Sequence, residues 1–221
     1  MAITLYGDLA SRAHRVAWAL KELALPFEHV PTSFLDGSTR RPDYLAVNPN
    51  GRVPALVDGD LVLFESLAIN LYLARRYAPD SLGPADIAED AQCTQWSFWV
   101  ANEVEKPLLL AAANRFLFPS EQRSAEEAEV ALGKLARPFG VLEAQMRERQ
   151  WLVGSRFTVA DLNVSAVMTL LPLAGIELHP WPAMAAWLDR CLERPAAADW
   201  KPIRFSIPRP PTGIGMLQMF V

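Results

Sequence analysis

What most constrains the fold of this chain is an abrupt change of periodicity about a third of the way along it. Before residue 78, four short β-prone runs stand out: Ile3–Tyr6, Glu28–Pro31, Ala55–Val57 and Leu61–Phe64. Asp58-Gly59-Asp60 between the last two is a tight hairpin signal, because glycine accepts the positive φ such a turn requires. Ala13, Val16, Ala17, Leu20, Leu23 and Ala24 recur at helical spacing between the first two runs, and Pro26 stops them. A second helical stretch, Leu67 to Tyr77, closes at Pro79. The order strand, helix, strand, irregular segment, hairpin, helix predicts a small mixed sheet covered by helices.

Beyond that point the pattern is helical throughout. Residues 78–91 combine Pro79, Gly83 and Pro84 with four acidic residues and read as an interdomain linker. Gln92–Phe118 carries a long apolar stripe that Pro107 should kink or break. Ala125–Arg149 reads as an amphipathic helix interrupted by Pro138. Thr158–Leu171 is almost wholly apolar, the pattern of a helix buried all round, and Pro182–Arg194 follows between two prolines. The expected architecture is an α/β domain over 1–78, a linker over 79–91, an all-α domain over 92–205 and a tail over 206–221.

Size and charge narrow the function. A chain of 221 residues buries roughly 70–75% of its unfolded surface and needs no metal or disulfide staple. The net charge of −4 lacks the basic surplus of a nucleic-acid protein. Cys93 and Cys191 suit a reducing compartment and read as small buried hydrophobes. No signal-peptide pattern and no run of ~18 apolar residues is present, so a soluble cytoplasmic protein is expected, with no membrane partner. His14, His29 and His179 are scattered, which argues against a metal site.

Three short motifs carry chemistry. Ser11 sits where the first helix should begin, either as an N-cap or as a donor to a ligand anion at the positive helix end. Val53-Pro54 directly precedes a strand, where it is either an ordinary loop or a cis bond that turns the Val53 backbone toward an extended ligand. Glu65-Ser66 opens the next helix. Ser66 is either its N-cap or one half of an amino-acid clamp, with helix N–H groups on a carboxylate and Glu65 on an ammonium.

The run Asn48-Pro49-Asn50-Gly51-Arg52-Val53-Pro54-Ala55-Leu56, followed by Asp58-Gly59-Asp60-Leu61-Val62-Leu63-Phe64-Glu65-Ser66, resembles the cytosolic glutathione transferases, close to the serine-type phi and theta classes. Phe157-Thr158-Val159-Ala160-Asp161 is similar to the capping box of that family's buried helix. The resemblance implies a thioredoxin-like first domain that binds glutathione as co-substrate, a helical second domain that shapes a hydrophobic pocket, and a homodimer. Carried over by position, Glu65 and Ser66 hold the γ-glutamyl end, and Val53 and Pro54 present backbone to the cysteinyl unit. Arg40 meets the glycyl carboxylate, and Arg52 stands where glutamine is common. Asn50 replaces an aromatic that often locks the partner subunit.

The implied activity is conjugation of glutathione to hydrophobic electrophiles. The alternatives are peroxide reduction or dehalogenation on the same scaffold, or a non-catalytic binding module. Ionising a thiol near pH 7 asks for a fall of ~2 pKa units, or about 2.7 kcal/mol. One hydrogen bond to the anion (~1.5–3 kcal/mol) and one helix end (~0.3–1 kcal/mol) suffice. Ser11 matches the serine classes, with Tyr6 as the alternative. Arg15 either adds positive potential beside the thiolate or pairs with an acid on its own helix. Trp99, Asn102, Glu103, Leu108, Ala112 and Phe116 are candidates for the electrophile pocket, or else core. The tail lies past the last helix and either covers the pocket or the dimer surface.

Overall fold

The computed structural model describes residues 2–199, and the expected tail over 206–221 lies outside them. Four strands, β1 (Ile3–Tyr6), β2 (Phe27–Val30), β3 (Ala55–Asp58) and β4 (Leu61–Phe64), form one sheet in the order β2-β1-β3-β4. β1 runs parallel to β2 and antiparallel to β3, and β3 pairs antiparallel with β4. The β1–β2 crossover is helix α1 (Ala13–Glu22), whose Val16, Ala17, Trp18 and Leu20 are fully buried. Helix α3 (Ser66–Tyr77) follows β4 and packs beside α1. This is the expected thioredoxin-like arrangement.

The segment read as irregular contains a short helix α2 (Pro42–Val47). Its signal is Pro42 at the first helical position with Asp43 in the first turn, a start pattern that suits the missing N–H and the helix dipole. The expected linker is shorter than read. Helix α4 (Ile87–Trp99) begins inside it, because the Asp86 side chain accepts the Glu89 N–H at 2.8 Å and Glu89 and Asp90 fill the first turn.

Pro107 does not break the long stripe. Val100–Glu105 widens into a π-helical turn and helix α5 (Lys106–Ala112) continues from it with Pro107 as its second residue, at the point where the regular bonding ladder is already shifted. A second π-helical turn spans Ala113–Leu117. Helix α6 (Ala125–Glu148) likewise runs through Pro138, which is buried within it rather than interrupting it.

Helix α7 (Val159–Met168) is buried along its whole length, and α8 (Pro182–Leu192) packs on α6 and α7. Asp161 anchors this region. Its carboxylate accepts from the N–H groups of Leu152 (2.9 Å) and Thr158 (3.0 Å) and from the Trp187 indole (2.9 Å). A buried polar seam joins the halves. Asn70 of α3 donates to Asn163 of α7 at 2.8 Å, and Asn163 donates to Ser97 of α4 at 2.8 Å. Among the described residues, no helix is long and apolar enough to cross a membrane.

Candidate active site

A cleft of about 760 Å³ opens between the sheet domain and the helices, within the ~300–1,000 Å³ range of small-molecule sites. Ser11, Arg40, Arg52, Val53, Pro54, Glu65, Ser66 and Asn102 all line it.

The β1–α1 loop sets Ser11. The Asp8 carboxylate accepts the Ala10 N–H at 2.8 Å, and the Asp8 carbonyl accepts the Ser11 N–H at 2.8 Å. The Ser11 hydroxyl donates to that carbonyl at 2.5 Å and accepts the Ala13 N–H at 3.2 Å. Its oxygen thus satisfies a first-turn amide although the formal N-cap is Arg12.

The Val53–Pro54 bond is cis. The loop before it is fixed through the Arg52 carbonyl, which accepts from the Tyr44 hydroxyl (2.5 Å) and the Asn48 amide (2.7 Å). The Val53 N–H and carbonyl have no hydrogen-bond partner among the described residues. Gly51 has φ +61°, and a Cβ there would stand 2.8 Å from the Arg40 guanidinium. The left-handed backbone and the Thr39 carbonyl, 3.0 Å from the Cβ position, favour glycine there, whereas the guanidinium tip could move aside.

Glu65 caps α3 with φ 70° and ψ 105°, a conformation disfavoured for a residue with a Cβ. Strain of this kind costs on the order of 1–3 kcal/mol and clusters at ligand sites. Ser66, read as a possible N-cap, is instead the first helical residue. It is buried, and its hydroxyl oxygen accepts from Arg15 at 3.4 Å.

With this geometry in place, the chain can be set beside known proteins. The glutathione S-transferase N-terminal domain model matches residues 1–75, and the C-terminal domain model matches residues 106–195. Glutathione S-transferase F10 of Arabidopsis thaliana is 34% identical over 221 residues, covering 94% of this chain and all of the relative. The chain belongs to the glutathione S-transferase family.

Two solved transferases share the fold. Glutathione S-transferase I from maize, in complex with an atrazine glutathione conjugate, has a TM-score of 0.81 at 32% identity, covering 90% of this chain and 96% of that one. The theta-class enzyme of the citrus canker pathogen Xanthomonas axonopodis pv. citri, with glutathione bound, has a TM-score of 0.82 at 30% identity, covering 89% and 95%.

The transferase cleft contains a charged group absent from the sequence reading. Glu105, in the first π-helical turn, is buried and accepts from Arg15 through both oxygens (2.8 and 3.1 Å) and from Arg12 at 2.5 Å. Burial pushes its carboxyl up, but the guanidinium groups of Arg15 and then Arg12 outweigh that and hold it at about 2. Arg15 therefore pairs with an acid from the opposite half of the molecule. The signal available in the sequence was Arg12 and Arg15 themselves, two cations three apart at the start of a helix whose other side chains are buried.

His14 also bridges the halves. Its Nδ1 lies 2.8 Å from the Ser11 carbonyl and its Nε2 3.2 Å from the Ala166 carbonyl of α7. Burial, aided by the adjacent Arg15 charge, lowers its pKa to about 4, so the ring is neutral near pH 7. Among the described residues, no group of three His, Cys, Asp or Glu side chains is arranged to hold a metal.

Six other candidates sit elsewhere. Tyr6 lies in β1 outside the cleft, its ring 6.1 Å from that of Tyr44. Trp99 packs edge-on against Trp96, and Glu103 faces Arg137 at 3.5 Å in a neighbouring groove. Leu108 and Ala112 are fully buried core residues, and Phe116 is half exposed away from the cleft. The wall is formed instead by Phe98, Ala101, Glu105, Leu109 and Leu117. Leu108 and Phe116 are each one residue short of the facing positions Leu109 and Leu117, while Leu108 and Ala112 belong to the buried core.

Proposed function

We propose that this glutathione transferase ionises bound glutathione by a hydrogen bond from the Ser11 hydroxyl and directs it at a hydrophobic electrophile in the same cleft. The observation that carries the reading is the convergence of Ser11, the unpaired Val53 backbone and the Glu65-Ser66 turn on one cavity. In this reading the Val53 N–H and carbonyl pair with the cysteinyl unit. Ser66 and the first amides of α3 take the γ-glutamyl carboxylate, and Glu65 takes its ammonium. Arg40 and Arg52, both exposed at the rim, meet the glycyl carboxylate.

Glutathione supplies the nucleophilic sulfur, and the chain's task is to hold it as an anion. Ser11 does so by turning its proton from the Asp8 carbonyl to the sulfur while its oxygen keeps the Ala13 amide. One charge-assisted bond (~1.5–3 kcal/mol) together with the α1 terminus (~0.3–1 kcal/mol) meets the requirement of about 2.7 kcal/mol. The test is Ser11→Ala, followed by thiolate absorbance of the bound tripeptide and by turnover. An unchanged thiol pKa would remove Ser11 from the role.

The same reading includes a homodimer and a cytoplasmic protein. Support for the first is the apolar edge strand β4, with Leu61, Val62 and Phe64 exposed, which would supply contact area in place of an aromatic at Asn50. Support for the second is that Cys93 and Cys191 are both free and buried.

A further inference from the structure

The charge of the cleft is opposite to that of the chain. The sequence carries a net −4, yet five cationic side chains and only two carboxylates line the cavity. On the reading proposed above, bound glutathione accounts for Glu65, Arg40 and Arg52. Glu105 is matched by Arg12 and Arg15. What is left over is Lys106.

Lys106 is exposed and begins α5 on the helical side of the cleft, next in sequence to Glu105 and one turn before Leu109. Among the described residues it makes no ion pair with any carboxylate. Residues 200–221 contain no Asp or Glu that could reach it. The same cavity is lined by the apolar side chains of Phe98, Ala101, Leu109, Leu117, Leu170 and Leu173, together with the polar Asn102 and Thr169. An exposed ammonium that lines a cavity with apolar side chains, and has no ion-pair partner among the described residues, recognises a molecule that is greasy at one end and anionic at the other.

We infer that the electrophiles this cleft prefers are hydrophobic molecules bearing an acidic group, with Lys106 as the residue that selects them. The inference rests on the glutathione-binding reading, so its test uses ligands that need no chemical step. S-hexylglutathione and S-(5-carboxypentyl)glutathione differ only at the far end of the alkyl chain. Their dissociation constants are measured by calorimetry on the full chain, together with the Lys106→Met and Lys106→Arg variants.

The carboxylated ligand should bind at least as tightly as the hexyl ligand to the unmodified protein, despite its cost of desolvation. Lys106→Met should shift the ratio of the two constants against the carboxylate by about fivefold, the upper range for a solvent-accessible ion pair. Lys106→Arg should retain the ratio, and raised salt should reduce it. A ratio that is the same in Lys106→Met and the unmodified protein overturns the inference while leaving the glutathione site standing. Failure of both ligands to bind the unmodified protein overturns the site reading and the inference with it.

Discussion

The two walls of the cleft are built on different principles. The sheet-domain wall is made of loops and turns whose parts are contiguous in the chain: Asp8–Ser11, Gly51–Pro54 and Glu65-Ser66. The first two are held by bonds from within the same domain a few residues away, as in the Ser11 hydroxyl to the Asp8 carbonyl or the Tyr44 and Asn48 side chains to the Arg52 carbonyl. The helical wall is one face of a long segment, and which face it shows is set by two π-helical turns and by packing on α6. Where the two walls meet, Arg12, Arg15, Glu105 and His14 tie them together. A wall fixed locally keeps its chemistry, whereas a wall fixed by packing can be changed side chain by side chain.

Removing the tie should have the largest effect. Glu105→Ala leaves two guanidinium groups without their shared counter-charge and should cost about 3–5 kcal/mol of stability by denaturant titration. If the loss stayed below ~1 kcal/mol, the walls would not be coupled through this group. Acidification should weaken the same junction in two separate windows. His14 has a folded pKa of about 4 against 6.5 unfolded, so the unfolded state binds the proton first and stability falls as pH drops from 6.5 to 4. That window is worth up to about 3 kcal/mol, and His14→Gln should flatten it. Glu105, also depressed, contributes a second loss as pH falls from 4.5 to about 2.

Next comes the chemistry of the sheet-domain wall. Ser11→Ala should raise the pKa of the bound thiol by up to ~2 units and lower turnover near pH 7 by about 100-fold, with little change in glutathione affinity. An equal loss of affinity and turnover would make Ser11 a binding residue only. The smallest effect is expected at Tyr44. Tyr44→Phe removes one hydrogen bond to the Arg52 carbonyl, worth about 1 kcal/mol, and should raise KM for glutathione severalfold while leaving kcat in place. A change confined to the electrophile's KM would show that the two walls do not act separately.

The same contrast governs what could be read without coordinates. The strands, the hairpin at Gly59 and helices α1 and α3 follow from alternation, turn residues and proline stops, and all lie within a residue or two of their expected places. The motifs of the sheet-domain wall line one cavity because each is a short run whose geometry is its own. The helical wall was less accessible. Asn102 alone of its six candidates faces the cleft, because an apolar stripe marks buried positions without telling which of them turn to the cleft and which to the core against α6. Glu105 carries no local signal of its role, since burial of its carboxylate depends on Arg12 and Arg15, about ninety residues away in the chain. Pro107 and Pro138 misled for a related reason: neighbouring packing keeps a helix intact where local propensity alone would end it.

The Asn70–Asn163–Ser97 seam has its own consequence. Its members are buried, with Ser97 at the cleft wall, and Asn163 spends its amide on Ser97 and the Leu67 carbonyl. Parting the two halves would strand amides and carbonyls in an apolar interior with nothing to bind. Hinge-like opening is thus a costly route for ligands, and traffic in and out is left to side chains at the rim, where variation leaves the joint untouched.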